Sequence, residues 1–129
     1  MNSDWPFRFV DDPAAFRDAG ALVVRIPRTA RSKEKVLCVL AEALRFPRYF
    51  GWNWDALEEC LGDLSWLPPT IERVILVHES LPFSPQGEQL SVYLDVLREA
   101  IRRREELGNR PALKAVFPQD AMPLLTIAN

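Results

Sequence analysis

The 129 residues carry 16 Lys and Arg against 18 Asp and Glu, a formal net charge of −2. That balance argues against direct binding to nucleic acid or to an anionic membrane and leaves a basic protein partner open. At 48% hydrophobic and 26% charged, the composition suits one globular domain with its own core. The two cysteines, Cys38 and Cys60, and the single histidine, His78, have no ligand spacing, so no metal and no cofactor are expected.

The start, Met1-Asn2-Ser3-Asp4-Trp5-Pro6, lacks the basic and apolar stretches of a secretory signal, and no run approaches the roughly 20 apolar residues of a membrane span. A cytoplasmic protein with reduced thiols is the expectation. Trp5, Phe7 and Phe9 alternate with Pro6 and Arg8, a weak strand pattern. Asp12-Pro13 supplies a cap and a first-turn proline, and Gly20 a stop, which predicts a short helix over 13–19.

Leu22-Val23-Val24-Arg25-Ile26 reads as a strand covered on both faces. Ser32 caps the next helix, in which Val36, Leu37, Leu40, Ala43 and Leu44 recur at helical spacing until Pro47 ends it. Asn53 caps a second helix from about Trp54 to Leu64. Pro68-Pro69 precede the strand Val74–Val77, and the loop Glu79–Gly87 has room for a helical turn. A long helix follows over 88–107, with Leu90, Tyr93, Leu94, Leu97 and Ile101 as its buried stripe and Gly108-Asn109 as its stop. Leu113–Phe117 is the last strand, and a tail with Met122, Leu124, Leu125 and Ile127 is too apolar to dangle. Strands separated by helices predict an α/β fold with three parallel strands. Both cysteines sit in apolar helical patterns and are expected to be buried free thiols.

The stretch Phe46–Leu61 carries the most information. On a helix, Trp54, Leu57, Leu61 and Leu64 share one apolar face, and Asp55, Glu59 and Asp63 share another, with Glu58 on its edge. Like charges four apart cost roughly a few tenths of a kcal/mol each. No Lys or Arg lies between Arg48 and Arg73 to relieve them. The helix dipole accounts for Asp55 near the start but not for Glu59 or Asp63. One reading is a solvated acidic face. The other is a negative patch for a cationic partner, with Tyr49, Phe50 and Trp52 beside it in a glycine-bearing loop. Phe50 and Trp54 are better read as core anchors.

Phe46-Pro47-x-Tyr49-Phe50-Gly51-x-Asn53-x-Asp55-Ala56-Leu57-x-x-Cys60-Leu61 resembles the signature of the barstar family. The order of elements from about Ala21 to Phe117 follows the same family, as do Ser91-Val92 and Arg98-Glu99-Ala100. The resemblance implies a division into an N-terminal extension (1–20), a barstar-like domain (21–117) and a C-terminal tail (118–129). It implies three parallel strands packed with helices. It also implies an intracellular inhibitor, expected as a monomer, whose loop and second helix block the active site of a basic ribonuclease or ribonuclease-like toxin. Tyr49, Asp55 and Glu59 match contact positions and Glu99 an accessory acidic one. Gly51, Trp52, Asn53, Glu58 and Asp63 complete the expected partner-binding set.

The chain departs from the family pattern at four places. Glu59 stands where the pattern has aspartate, Glu58 replaces a tryptophan, Gly62-Asp63-Leu64 replaces Thr-Gly-Trp, and Arg103 replaces a glutamate. For Glu99 the ordinary alternative is an i, i+4 pair with Arg103.

An enzyme using Asp55 and Glu59 as an acid–base pair lacks an opposing wall on the one helix face, and His78 has no Ser or Cys partner that the sequence places near it. No catalytic residue is therefore assigned. An immunity or regulatory protein with a non-ribonuclease partner stays open, because fold does not fix function.

Overall fold

The computed structural model describes residues 6–128, with side chains described over 6–125. Met1–Trp5, the Ile127 side chain and Asn129 lie outside the described residues. Four strands, β1 (Phe7–Val10), β2 (Ala21–Ile26), β3 (Arg73–His78) and β4 (Ala112–Pro118), form one sheet. Its order is β1-β4-β3-β2 and every pairing is parallel. The helices are α1 (Lys33–Leu44), α2 (Trp54–Asp63), α3 (Glu88–Leu107) and α4 (Met122–Ala128). Among the described residues no helix is long and apolar enough to cross a membrane.

The α/β class with a parallel sheet holds, but the sheet has four strands where three were expected. The fourth is β1, whose four residues gave only a faint alternation. Its register sets Phe7 opposite Ala115 and Phe9 opposite Phe117. The Phe7 ring meets Phe117 edge-on at 5.3 Å, so burial of one aromatic fixes a strand that propensity alone did not.

The two sheet faces are unequal. Val24, Ile26, Val74, Leu76, Leu113, Ala115 and Phe117 point into the main core with the apolar sides of all four helices. Ile75, Val77 and Val116 on the other face are covered by Val10, Phe16, Ala21 and Val23. The segment between β1 and β2 holds only a single turn of 3-10 helix at Pro13–Ala15, shorter than the helix expected over 13–19. It is tied across this face by Arg25, whose guanidinium donates to the Pro13 carbonyl at 2.9 Å. An Arg73–Asp18 ion pair at 2.7 Å ties it a second time.

Ser32 and Asn53 cap α1 and α2 as the sequence implies, through Lys35 N at 3.2 Å and Ala56 N at 2.7 Å. The stripe Leu90, Tyr93, Leu94, Leu97 and Ile101 is buried. The loop after β3 contains turns but no helix, and the apolar tail closes the core through buried Leu125. A further expectation fails. Cys60 is buried, but Cys38 is exposed on α1 with its thiol 3.5 Å from the Glu42 carboxylate. Val36, Leu37, Leu40 and Leu44 already fill the buried side of that helix, which turns position 38 outward.

Candidate partner-binding surface

The loop before α2 is held from inside. α1 stops at Arg45, whose φ of 54° is left-handed, and the Trp66 indole donates to the terminal Leu44 carbonyl at 2.8 Å. The Phe46 ring lies tilted 4.8 Å from Phe50 and edge-on 5.9 Å from Trp66. Phe50 is buried, and its N–H closes a turn onto the Pro47 carbonyl at 3.0 Å. With Phe46 and Phe50 pinned, Tyr49 and Trp52 face outward, 78% and 54% exposed. Trp52 has a φ of 56°, a conformation that costs a bulky residue energy and recurs at functional sites. Its ring leans edge-on against Phe50 at 5.0 Å.

Gly51 and Asn53 act on the backbone. A Cβ at Gly51 would stand 3.3 Å from Asn53 Nδ2, so glycine lets the chain pass tightly over the cap. The Asn53 side chain is committed, accepting from Ala56 N and donating to the Gly51 carbonyl at 3.3 Å. Trp54 opens α2 half-buried. Its indole donates to Gln89 at 2.9 Å, and its ring lies 5.8 Å from both Phe83 and Tyr93.

Leu57, Cys60 and Leu61 turn into the core, while Asp55 and Glu59 are exposed and Glu58 and Asp63 half-buried. A groove of about 230 Å³ is lined by Tyr49, Phe50, Ala56, Glu59, Cys60, Asp63 and Arg103. It brings together three of the expected residues: Tyr49, Glu59 and Asp63. Glu58 faces the neighbouring helix instead. Burial pushes its carboxyl up, the charges of Glu99 and Asp55 push it further, and Arg103 and Arg102 partly oppose them. Glu99 thus belongs to the acidic edge between α2 and α3. Its pair with Arg103 does not form, because Arg102 takes it, along with Glu106.

One arginine of α3, Arg104, escaped the sequence reading, and Arg103 was read there only as a departure from the family pattern and an alternative partner of Glu99. Arg104 is buried and donates to the carbonyls of Gly62 (3.3 Å), Asp63 (2.7 Å), Asn109 (3.1 Å) and Pro111 (2.9 Å). It satisfies the open C-terminal end of α2 and complements its dipole. Arg103 lies over Gly62, its Cζ 2.9 Å from where a Cβ would stand. The available signal was Gly62 itself, since glycine inside a helix marks a close approach. The acidic face therefore does have a neighbouring cation, supplied from α3 rather than from nearby sequence.

His78 has no access to any of these groups. It is fully buried at the end of β3, stacked 4.1 Å from Phe117.

A family model described as Barstar (barnase inhibitor) matches residues 22–115. The match spans the loop, α2 and all of α3, and leaves β1 outside. Comparison with curated proteins finds no match, and neither does comparison with solved structures.

Proposed function

The chain belongs to the barstar family, and on that premise we propose that it is a protein inhibitor of a ribonuclease and has no catalytic activity of its own. The loop with Tyr49 and Trp52 and the exposed face of α2 enter the basic cleft of the nuclease. Asp55 and Glu59 take places that the cleft provides for RNA phosphates, and Asp63, Glu58 and Glu99 extend the negative field around them. A cleft that holds RNA must be cationic, and its arginines pair with carboxylates in bidentate fashion. The helix backbone that carries Asp55 and Glu59 is already ordered, so only their side chains lose freedom when the partner arrives.

The observation that carries this reading is the exposure of Tyr49 and Trp52 beside Glu59 and Asp55. A stability-driven fold has no use for two large aromatics in water next to clustered carboxylates, whereas aromatic anchors beside charges are the usual content of a binding hot spot.

The test is RNA cleavage. Stoichiometric protein, added to each basic ribonuclease made by its own host, should abolish the activity of one of them. No loss against any of them contradicts the reading. The protein alone should not turn over RNA, and turnover that disappears in a folded Asp55→Asn variant would overturn the non-enzymatic assignment.

A further inference from the structure

The helix α3 carries four arginines, and three are committed. Arg98 pairs with Asp95 at 3.0 Å, Arg102 pairs with Glu99 and Glu106, and Arg104 donates to backbone carbonyls. Arg103 makes neither a hydrogen bond nor an ion pair within 4 Å among the described residues. Yet it is half-buried and lines the same groove as Tyr49, Glu59 and Asp63. Its guanidinium rests across Gly62, which has no side chain to push it away. One cation and two carboxylates thus share a groove without closing on each other. A guanidinium offers five donors in a planar fork that matches carboxylates and phosphates alike, and of the two an unmodified protein partner carries the carboxylate.

We propose that Arg103 is a specificity-determining residue that receives a carboxylate of the partner, in the groove where Glu59 and Asp63 receive the partner's cations. This rests on the reading that the face of α2 enters a ribonuclease cleft. Cleavage of RNA through its 2′-hydroxyl needs a base to take the hydroxyl proton as well as cations to hold the phosphate. In a nuclease whose base is a carboxylate set among cations, that base answers to a cation set among carboxylates. An all-acidic groove repels that base, and Arg103 replaces the repulsion with an ion pair. The same arginine disfavours uniformly basic surfaces, because like charges brought together lower affinity.

The experiment uses the ribonuclease captured from the host on the immobilised wild-type chain, identified by its cleavage of RNA. Dissociation constants are measured for wild type, Arg103→Lys, Arg103→Ala, Arg103→Glu and Glu59→Ala, with thermal midpoints to confirm folding. Each Asp and Glu of the nuclease cleft is then converted in turn to its amide. Arg103→Ala should weaken binding by about tenfold or more and Arg103→Glu by more still, with Arg103→Lys in between. One amide substitution in the nuclease should abolish the effect of Arg103→Ala, as a double-mutant cycle requires of a direct pair.

If Arg103→Ala and Arg103→Glu bind as tightly as wild type while Glu59→Ala binds worse, the assignment of Arg103 fails and the ribonuclease reading stands. If Arg103→Ala weakens binding but no amide substitution removes the effect, the carboxylate contact is overturned. If the captured protein does not cleave RNA, the underlying reading fails and the role of Arg103 falls with it.

Discussion

The Tyr93 hydroxyl lies 2.6 Å from His78 Nε2, inside the core, while His78 Nδ1 lies 2.9 Å from the Val116 carbonyl. The carbonyl only accepts, so Nδ1 carries the proton, Nε2 is bare, and the hydroxyl donates to it. The tyrosine ring in turn lies 5.8 Å from Trp54, the first residue of α2. A neutral histidine at the end of the sheet is thereby joined through Tyr93 to the helix that presents the acidic face.

This arrangement predicts a pH dependence of stability. Burial pushes the His78 imidazole down from 6.5 to about 4, only partly offset by carbonyls of Val116 and Leu76. Between those values the unfolded chain binds a proton that the folded chain refuses, so stability rises with pH across the window. It is fully present above pH 6.5 and is lost as pH falls toward 4, by about 3 kcal/mol in all. His78 is the sole histidine, so it supplies the rise of urea-unfolding free energy from pH 5 to 6.5, against which the raised Glu58 carboxyl works in the opposite sense at the acidic end. A flat profile over that interval would show that the imidazole is not held neutral.

Trp52 exchanges backbone strain for an exposed ring. The left-handed conformation costs a non-glycine residue about 1–2 kcal/mol, and losing the edge contact with Phe50 costs about 0.5–1.5 kcal/mol. Trp52→Gly should therefore leave stability within about 1 kcal/mol of wild type. Binding to the nuclease should fall by about 2 kcal/mol or more, as for an aromatic anchor. A large loss of stability with unchanged binding would make Trp52 part of the fold and not of the surface.

The two faces of α2 should separate cleanly. Leu57 and Leu61 are fully buried, so truncating either to alanine should cost about 2–5 kcal/mol. Asp55→Ala and Glu59→Ala, at exposed positions, should shift stability by no more than about 0.5 kcal/mol. Chemical denaturation of the four variants decides the matter, and a reversed ranking would mean that the helix is turned the wrong way.

Arg104 should be a stability residue. Replacing it with methionine keeps the bulk but strands carbonyls at the end of α2, each costing about 1–3 kcal/mol when buried and unsatisfied. Amide exchange in Leu61–Leu64 should speed up in Arg104→Met relative to β3. Unchanged exchange there would mean that water satisfies those carbonyls without the arginine.

What could be read from the sequence and what could not divide along physical lines. Caps and stripes are local: Ser32 and Asn53 bond within three residues, and the spacing of Leu57 and Leu61 or of Leu90 through Ile101 states which side is buried. The acidic face of α2 was legible for the same reason. Contacts made across long stretches of chain were not. Arg104 reaches Asp63 from 41 residues away, and Arg103 meets Glu59 and Asp63 only because α2 and α3 pack together. The short β1 becomes a strand because Phe7 finds Phe117, and Cys38 is exposed because its neighbours on α1 had already filled the core side. The outward turn of Tyr49 and Trp52 depended on Phe46 meeting Trp66, which periodicity does not encode.

The most direct test of the central claim is the association rate of this protein with its ribonuclease, measured by stopped flow across a salt series. If Asp55 and Glu59 stand in for phosphates, the rate should fall steeply with salt, as the Debye length shrinks from about 10 Å at 0.1 M to about 3 Å at 1 M. Glu59→Ala should cost roughly 2–5 kcal/mol of affinity, mostly through faster dissociation; the standard case of that rule is the barnase–barstar pair, so its range is carried over within the family. Asp63→Ala, in the same groove but half-buried, should also lower affinity, by less than Glu59→Ala. A salt-independent association rate, together with unchanged affinity for both Asp55→Ala and Glu59→Ala, would contradict the account.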